Sequence, residues 1–296
     1  MLPVNHGGSP SGTLYVVATP IGNLEDMTAR GIRILREVDL VAAEDTRQTR
    51  KLLTSLDIHT RLISYHKERE QERAAELLER LQGGANIALV SDAGTPALSD
   101  PGSVLVKLVV AAGIKLVPIP GPSALATAVS VAGLPGSGFV FLGFLPGKSG
   151  ERRRLLQPLA AGELPVIFYE SPHRLVKSLT DCLDIFGDRE VFVGRELTKL
   201  HEELRHCRLS EVLADFSGRA AIKGELVVII KTAIAVAVAD IESADLLSII
   251  AWYRDHSPLS MRDATRKIAN DLGLPRSEVY TQALAIWNRR ERDSED

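Results

Sequence analysis

Short apolar runs of strand length alternate with amphipathic stretches of helix length along residues 13–119, and this alternation constrains the fold more than any other feature. TLYVVA (13–18) is rich in β-branched residues and ends in a Pro/Gly turn. A helical pattern follows over 28–37, then LVAA (40–43) and RLIS (61–64) as strand candidates. A charged helix over 68–81 ends at Gly83-Gly84, and NIALVS (86–91) and KLVPI (115–119) complete the set. Strands alternating with helices predict βαβ units and a mainly parallel sheet.

The alternation starts again after PGPSA. Helix 123–131 leads to FVFLG (139–143), helix 151–159 to PVIFY (165–169), and helix 172–185 to EVFVGR (190–195). LRHCRL (204–209) has the pattern of an antiparallel hairpin partner, and ELVVIIK (225–231) closes a second α/β unit of similar size. The most apolar run, 226–239, is interrupted by Lys231 and falls short of the roughly 20 residues a spanning helix needs. Its first half reads as a buried strand and its second as a strand end or linker.

No convincing strand follows residue 239. Three helices are expected instead, at 244–253, 261–272 and 277–290. Ser260 with Asp263 makes a capping-box start. Met261, Ala264, Ile268 and Leu272 share one helix face, and GLPRS (273–277) breaks the chain before the last helix. This is a helix-turn-helix layout. Nucleic-acid docking and a helical cap or dimerisation element both fit it, and acidic residues outnumber basic ones there. The expected division is a flexible leader at 1–12, α/β domains at 13–122 and 123–239, and a helical extension at 240–296.

Composition narrows the class. With 45% apolar and 25% charged residues the chain is an ordinary globular sequence. Its net charge of −3 gives no overall positive field, so any RNA must meet a local basic patch. The N-terminus lacks the charged and apolar regions of a signal peptide. Cys182 and Cys207 sit in no C-x-x-C or Cys/His cluster, which predicts two reduced thiols in a cytosolic protein.

The chemistry is expected in four loops that follow strand ends: ATPIGN (18–23), SDAGTPALSDPG (91–102), PIPGPSA (118–124) and YESPHR (169–174). Ligands of open α/β sheets bind beyond the carboxyl ends of the strands. Glycine lets backbone approach a ligand, and proline keeps a loop rigid. Residues 91–102 far exceed the two to six residues such a loop usually needs. Asp92 and Ser123 offer fixed polar points, which suits an adenosine in an apolar cleft. No G-x-G-x-x-G follows the first strand, and no Walker motif, H-E-x-x-H or G-x-S-x-G occurs. The residues alone imply a two-unit α/β protein with a nucleotide-like ligand.

The strings TLYVVATPIGNLEDMTARGIRILREVDLVAAEDTRQTRKLL, LISYH, VSDAGTPALSDPG, PIPGPSA, FLGFLP, FYESPHR and GRELTKLHEE, in this order, closely resemble the ribosomal RNA small subunit methyltransferase I family, of the tetrapyrrole-methylase-like superfamily. The resemblance runs from about Thr13 to Lys231. It implies two α/β domains with S-adenosylmethionine in the cleft between them, plus the small helical extension. It also implies 2'-O-methylation of a cytidine ribose in the decoding region of 16S rRNA, no metal, and a homodimer. TPIGN replaces the Gly-rich first loop of the small-molecule members, which favours the RNA-modifying branch.

Carried onto this sequence, the resemblance assigns the cofactor to Pro20, Asp92, Gly94, Thr95, Pro96, Ser123 and Ala124. The second domain adds Phe168, Tyr169, Leu197, Gly224 and Glu225 by strand order. A proton acceptor for the ribose hydroxyl is sought in AEDTR and YESPHR, which offer Glu44, Asp45, Glu170 and His173, with His66 a weaker candidate. Asp45 also suits a helix cap, and Glu170 a structural pair with Arg174. RNA phosphates need cations, and Arg47, Arg50, Arg174 and the run Lys148, Arg152, Arg153 and Arg154 are the candidates. Two rival functions stand beside this one: a methylase of a small tetrapyrrole, and a non-catalytic RNA-binding protein.

Overall fold

Strands buried on both faces need no polar side, as in LVAA and IALV, and the apolar runs of the first half become strands. They are β1 (Thr13–Val17), β2 (Leu40–Ala43), β3 (Leu62–Ser64), β4 (Ile87–Val90) and β5 (Lys115–Ile119). They form one sheet in the order β3-β2-β4-β1-β5, with every adjacent pair parallel. The crossovers carry α1 (Ala29–Glu37), α2 (Thr46–Ser55), α3 (Glu70–Gln82) and α4 (Ser103–Ala111). The computed structural model describes residues 11–134, 138–232, 243–257, 259–272 and 274–287.

Successive side chains of a strand point to opposite faces. Leu14, Leu40, Ala42 and Leu89 enter a core with Leu77 of α3 and Leu105 of α4. Val17, Val41, Ala43 and Val90 enter the opposite core with Leu35 of α1 and Leu53 of α2. Each Leu or Val so buried contributes roughly 1.5–3 kcal/mol.

The second half contains α5 (Ala124–Val131), β6 (Val140–Phe144), α6 (Ser149–Leu156), β7 (Val166–Glu170) and α7 (Leu175–Phe186). β8 (Glu190–Arg195), β9 (Glu203–Arg208), α8 (Leu209–Gly218) and β10 (Leu226–Ile230) follow. The sheet order is β6-β7-β10-β8-β9. β9 pairs with β8 in the expected antiparallel hairpin. β6 and β7 are parallel, but β10 lies antiparallel to both β7 and β8. The second sheet is therefore mixed. The hairpin reverses the chain, and the β9-α8-β10 crossover then returns β10 in the direction of β9.

α6, α7 and α8 cover one face of this sheet, where Leu156, Leu179 and Phe216 meet Phe168, Val193 and Val228. α5 covers the other, where Ala128 and Ala132 meet Ile167, Phe192 and Ile229. Ile21 and Ala93, from loops of the first sheet, join this second cluster. Cys182 and Cys207 are free thiols.

The chain divides into two compact units, residues 1–232 and 233–296. In the second, α9 (Ser243–His256), α10 (Met261–Leu272) and α11 (Arg276–Trp287) surround Leu246, Ile250, Ile268 and Val279. Ser260 Oγ accepts from the Asp263 amide at 3.2 Å, the first half of the expected capping box, while the Asp263 carboxylate accepts from the Ser260 hydroxyl at 2.7 Å in place of the Ser260 amide. Residues 1–10 of the expected leader, the expected linker at 233–239 and residues 288–290 of the expected last helix lie outside the described residues.

Candidate active site

The loops at the carboxyl ends of the first sheet are fastened to one another. Thr19 and Gly94 exchange two backbone hydrogen bonds, both 2.9 Å, which ties the loop after β1 to the loop after β4. Gly94 has φ +78, a backbone that glycine adopts without strain. The Thr19 hydroxyl donates to the Ser91 carbonyl at 3.1 Å. The Thr95 hydroxyl donates to the Pro122 carbonyl at 3.3 Å, reaching the loop after β5. The loop after β2 is joined by a reciprocal pair. The Asp45 amide donates to the Asp92 carboxylate at 2.9 Å, and the Asp92 amide donates to Glu44 at 3.4 Å.

Opposite these loops lies the α5 face of the second sheet. The Tyr169 hydroxyl accepts from the Leu125 amide at 3.2 Å and fixes the first turn of α5. Ser123 caps that helix through the Ala126 amide. Between the two walls is a cavity of about 390 Å³, a size typical of small-ligand sites.

Its electrostatics are one-sided. Glu44, Asp92, Asp100 and Glu225 all line it. Glu225 pairs with Lys199 at 3.1 Å. Among the described residues, Glu44, Asp92 and Asp100 have no ion-pair partner. Burial, and next the Glu44 charge, push the Asp100 carboxyl up to about 6 against a hydrogen bond from Ser91. Burial also raises Glu44, with the Asp92 amide opposing and the Asp92 and Asp45 charges adding. Ionised carboxylates held this close without a counter-ion favour a ligand that brings positive charge.

The cavity brings together most residues expected at the cofactor. Asp92, Gly94, Thr95, Ser123 and Ala124 line it from one side. Tyr169, Leu197 and Glu225 line it from the other. Four expected residues are not part of the lining. Phe168 is fully buried in the α6–α8 core, because adjacent residues of β7 face opposite ways and Tyr169 takes the cavity side. Pro96 is buried within its loop. Pro20 yields the lining position to Ile21. Gly224 lies behind the wall, where a Cβ would stand 2.3 Å from Glu196 Cγ.

The proton-acceptor candidates separate. Glu44 lines the cavity with a carboxylate that is only partly engaged. Glu170 also reaches the lining, but its side chain is fully buried and committed. Its oxygens accept from Ser178 at 2.5 Å and the Ser171 amide at 2.8 Å, and Arg174 Nε stands 3.1 Å away. That corrects the expectation of a base: Glu170 holds α7 onto β7. Asp45 caps α2 through the Arg47 amide at 2.8 Å, and the Arg47 guanidinium holds its carboxyl down at about 2. His173 is exposed on a separate shallow depression with Val176, Phe216 and Arg219. His66 pairs with Glu68 at 2.8 Å and is not part of the lining.

The expected RNA cations also separate. Arg152 is 2% exposed and bound to Asp181, so it is a core residue and cannot meet a phosphate. Arg174 is taken up by Glu170 and the Leu145 carbonyl. Arg153 pairs with Asp181 and Asp184. Arg154 stays exposed on α6 and Lys148 at its N-cap, 3.5 Å from Glu151, and Arg47 and Arg50 stay exposed on α2, which starts directly after Glu44 and Asp45.

Sequence reasoning did not single out Asp100, Phe144, Leu98 or Val227, all of which line the cavity. Asp100 carried a signal, being the second aspartate of the same overlong loop as Asp92. Val227 carried none, since only its register opposite Tyr169 brings it to the lining.

Comparison with known proteins agrees with this architecture. The family profile for Tetrapyrrole (Corrin/Porphyrin) Methylases matches residues 13–213. Ribosomal RNA small subunit methyltransferase I of Halalkalibacterium halodurans is 44% identical over 280 residues, covering 91% of this chain and 93% of that protein. The protein of the same name from Thermotoga maritima is 48% identical over 219 residues, covering 74% of this chain and 98% of its own length. Among solved structures, uroporphyrin-III C-methyl transferase from Thermus thermophilus complexed with S-adenyl homocysteine superposes with a TM-score of 0.55. It has 20% identity and covers 74% of this chain and 97% of that one, a likeness of fold. By the profile match and by these relatives, the chain belongs to the ribosomal RNA small subunit methyltransferase I family of the tetrapyrrole (corrin/porphyrin) methylases.

Proposed function

We propose that this chain transfers the methyl group of S-adenosylmethionine to the ribose 2'-hydroxyl of a cytidine in the decoding region of 16S ribosomal RNA. The observation that carries the reading is the cavity with its unpaired carboxylates, in a chain whose relatives are named as ribosomal RNA methyltransferases. S-adenosylmethionine bears a sulfonium and an ammonium, and the unpaired Asp92 and Asp100 provide the compensating charge. Ser123, Ala124, Tyr169 and Leu197 form the less polar wall that suits an adenosine. When bound, the cofactor supplies an activated methyl group. The chain's own task is then alignment, with Glu44 taking the proton of the ribose hydroxyl, worth about 10²–10⁴-fold.

The protein acts in this reading as a cytoplasmic homodimer, on the RNA or on the assembled small subunit. Arg47 and Arg50, exposed on α2 next to Glu44, meet the RNA phosphates, with Lys148 and Arg154 as further contacts. The division into a leader at 1–12, α/β domains at 13–122 and 123–239 and a helical extension at 240–296 belongs to the same proposal. Mass mapping of 16S rRNA from cells lacking the protein tests it. One decoding-region cytidine is expected to lose a methyl group, and unchanged rRNA overturns the reading.

A further inference from the structure

β6 does not run straight along β7. Val140 pairs with Val166 and Phe141 with Ile167, yet Phe144 rather than Gly143 faces Tyr169, so β6 holds one extra residue between these pairs. Gly143 takes it up with φ +64, and a Cβ there would stand 2.7 Å from Ser99 Oγ in the loop after β4. A bulge of this kind re-aims the next side chain. Here it turns the Phe144 ring to the cavity, which the ring lines while 53% exposed.

The ring is held rather than loose. Its centroid lies 5.5 Å from that of Tyr169 at an interplanar angle of 62°, and Phe141 packs edge-on against the same tyrosine at 5.1 Å. The next residue, Leu145, is buried, and its carbonyl accepts from Arg174. The result is a half-open aromatic ring, braced from behind, at a cavity whose floor is acidic. An aliphatic side chain would leave the same cavity open with no π-face at its edge.

We infer that Phe144 is a stacking platform for the base of the nucleotide whose ribose enters the cavity. The inference rests on the proposed RNA-methylating role. Unpaired bases are recognised by stacking on aromatic side chains, because the sugar and base must leave a helix to reach a buried site. The phosphates stay outside the acidic cavity, on the exposed cations of α2.

The test uses the full chain and a single-stranded cytidine-containing RNA matching the decoding region. Phe144→Ala is expected to weaken RNA binding about tenfold or more and to raise KM for the small subunit. Calorimetric affinity for S-adenosylmethionine falls by less than RNA affinity, and the salt dependence of RNA binding stays as in the wild type. Phe144→Trp keeps RNA affinity, and its added fluorescence is quenched by the RNA beyond the wild-type signal. Phe144→Leu binds RNA as weakly as Phe144→Ala. RNA affinity unchanged in Phe144→Ala, or fully restored in Phe144→Leu, overturns the platform. A loss confined to S-adenosylmethionine affinity assigns the ring to the adenine and overturns it too. Methyl transfer by the wild type tests the underlying reading separately: an active wild type with a fully active Phe144→Ala sinks the platform alone. A wild type that neither binds nor methylates RNA removes both.

Discussion

Arg152 Nε donates to Asp181 Oδ2 across 2.7 Å, with both residues almost wholly buried between α6 and α7. Asp181 also accepts from Ser149 at 2.9 Å, and Arg152 reaches the Pro146 and Gly147 carbonyls. Removing one partner of a buried pair strands the other charge, which costs about 3–5 kcal/mol. Arg152→Ala is therefore expected to lower unfolding stability by that amount in urea titration. Arg154→Ala, on the exposed side of the same helix, stays within about 0.5 kcal/mol of wild type. Equal stabilities would contradict the buried pairing.

Asp100 makes stability depend on pH. Its carboxyl titrates near 6 in the fold, above the ordinary value of 3.8, chiefly through burial and the Glu44 charge. The folded state then holds the proton that the unfolded chain has lost between these two values. Stability falls as pH rises from about 4 to 6, and the penalty is complete above 6. Asp100→Asn is expected to match wild type at pH 4 and to melt roughly 2 °C higher at pH 8. A lower melting temperature at pH 8 would contradict the crowding of Asp100 by Glu44, Asp92 and Glu225.

The same carboxyl couples ligand charge to pH. A sulfonium-bearing ligand is favoured by ionised Asp100, so calorimetric affinity for S-adenosylmethionine rises between pH 5 and 7. Asp100→Asn flattens that rise. An affinity independent of pH in the wild type would remove Asp100 from contact with the ligand's charge.

Glu44 and Glu170 are distinguished by what their amides would do. Glu44→Gln keeps its shape in the cavity and is expected to slow single-turnover methylation at least about tenfold, with stability near wild type. Glu170→Gln loses the charge that holds Arg174 and accepts from Ser178, so it lowers the melting temperature first. A Glu44→Gln rate within about twofold of wild type would exclude this residue as the proton acceptor.

Arg47 and Arg50 are expected to set the salt dependence of RNA binding. Every phosphate left without its arginine lowers the slope of log affinity against log salt by about 0.7–0.9. Arg47→Ala with Arg50→Ala should flatten it by one to two such steps and leave S-adenosylmethionine affinity alone. An unchanged slope moves the RNA to another face.

The sequence determined the strands and their order along the chain. LVAA and EVFVGR coincide with β2 and β8 because strands buried on both faces leave uninterrupted apolar runs, and KLVPI coincides with the edge strand β5, whose Lys115 and Pro118 are exposed. It also pointed to the cavity, since residues 91–102, too long for a mere connection, supply part of its lining. α4 and α8 were not legible as helices, and of α2 only the start, at the Asp45 cap, was. α4 is apolar on most sides, and its buried Leu105 and Val109 leave no polar stripe to reveal a period. Only the tertiary structure decided the direction of β10, which depends on the β8–β9 hairpin before it. It alone decided which arginine of 152–154 is buried, because two helical steps, about 200°, separate Arg152, which faces inward to Asp181, from Arg154, which stays in water. And it alone made Asp100 unusual: a carboxyl's titration follows from the charges the fold sets around it, and Glu44, Asp92 and Glu225 come from three separate strand ends.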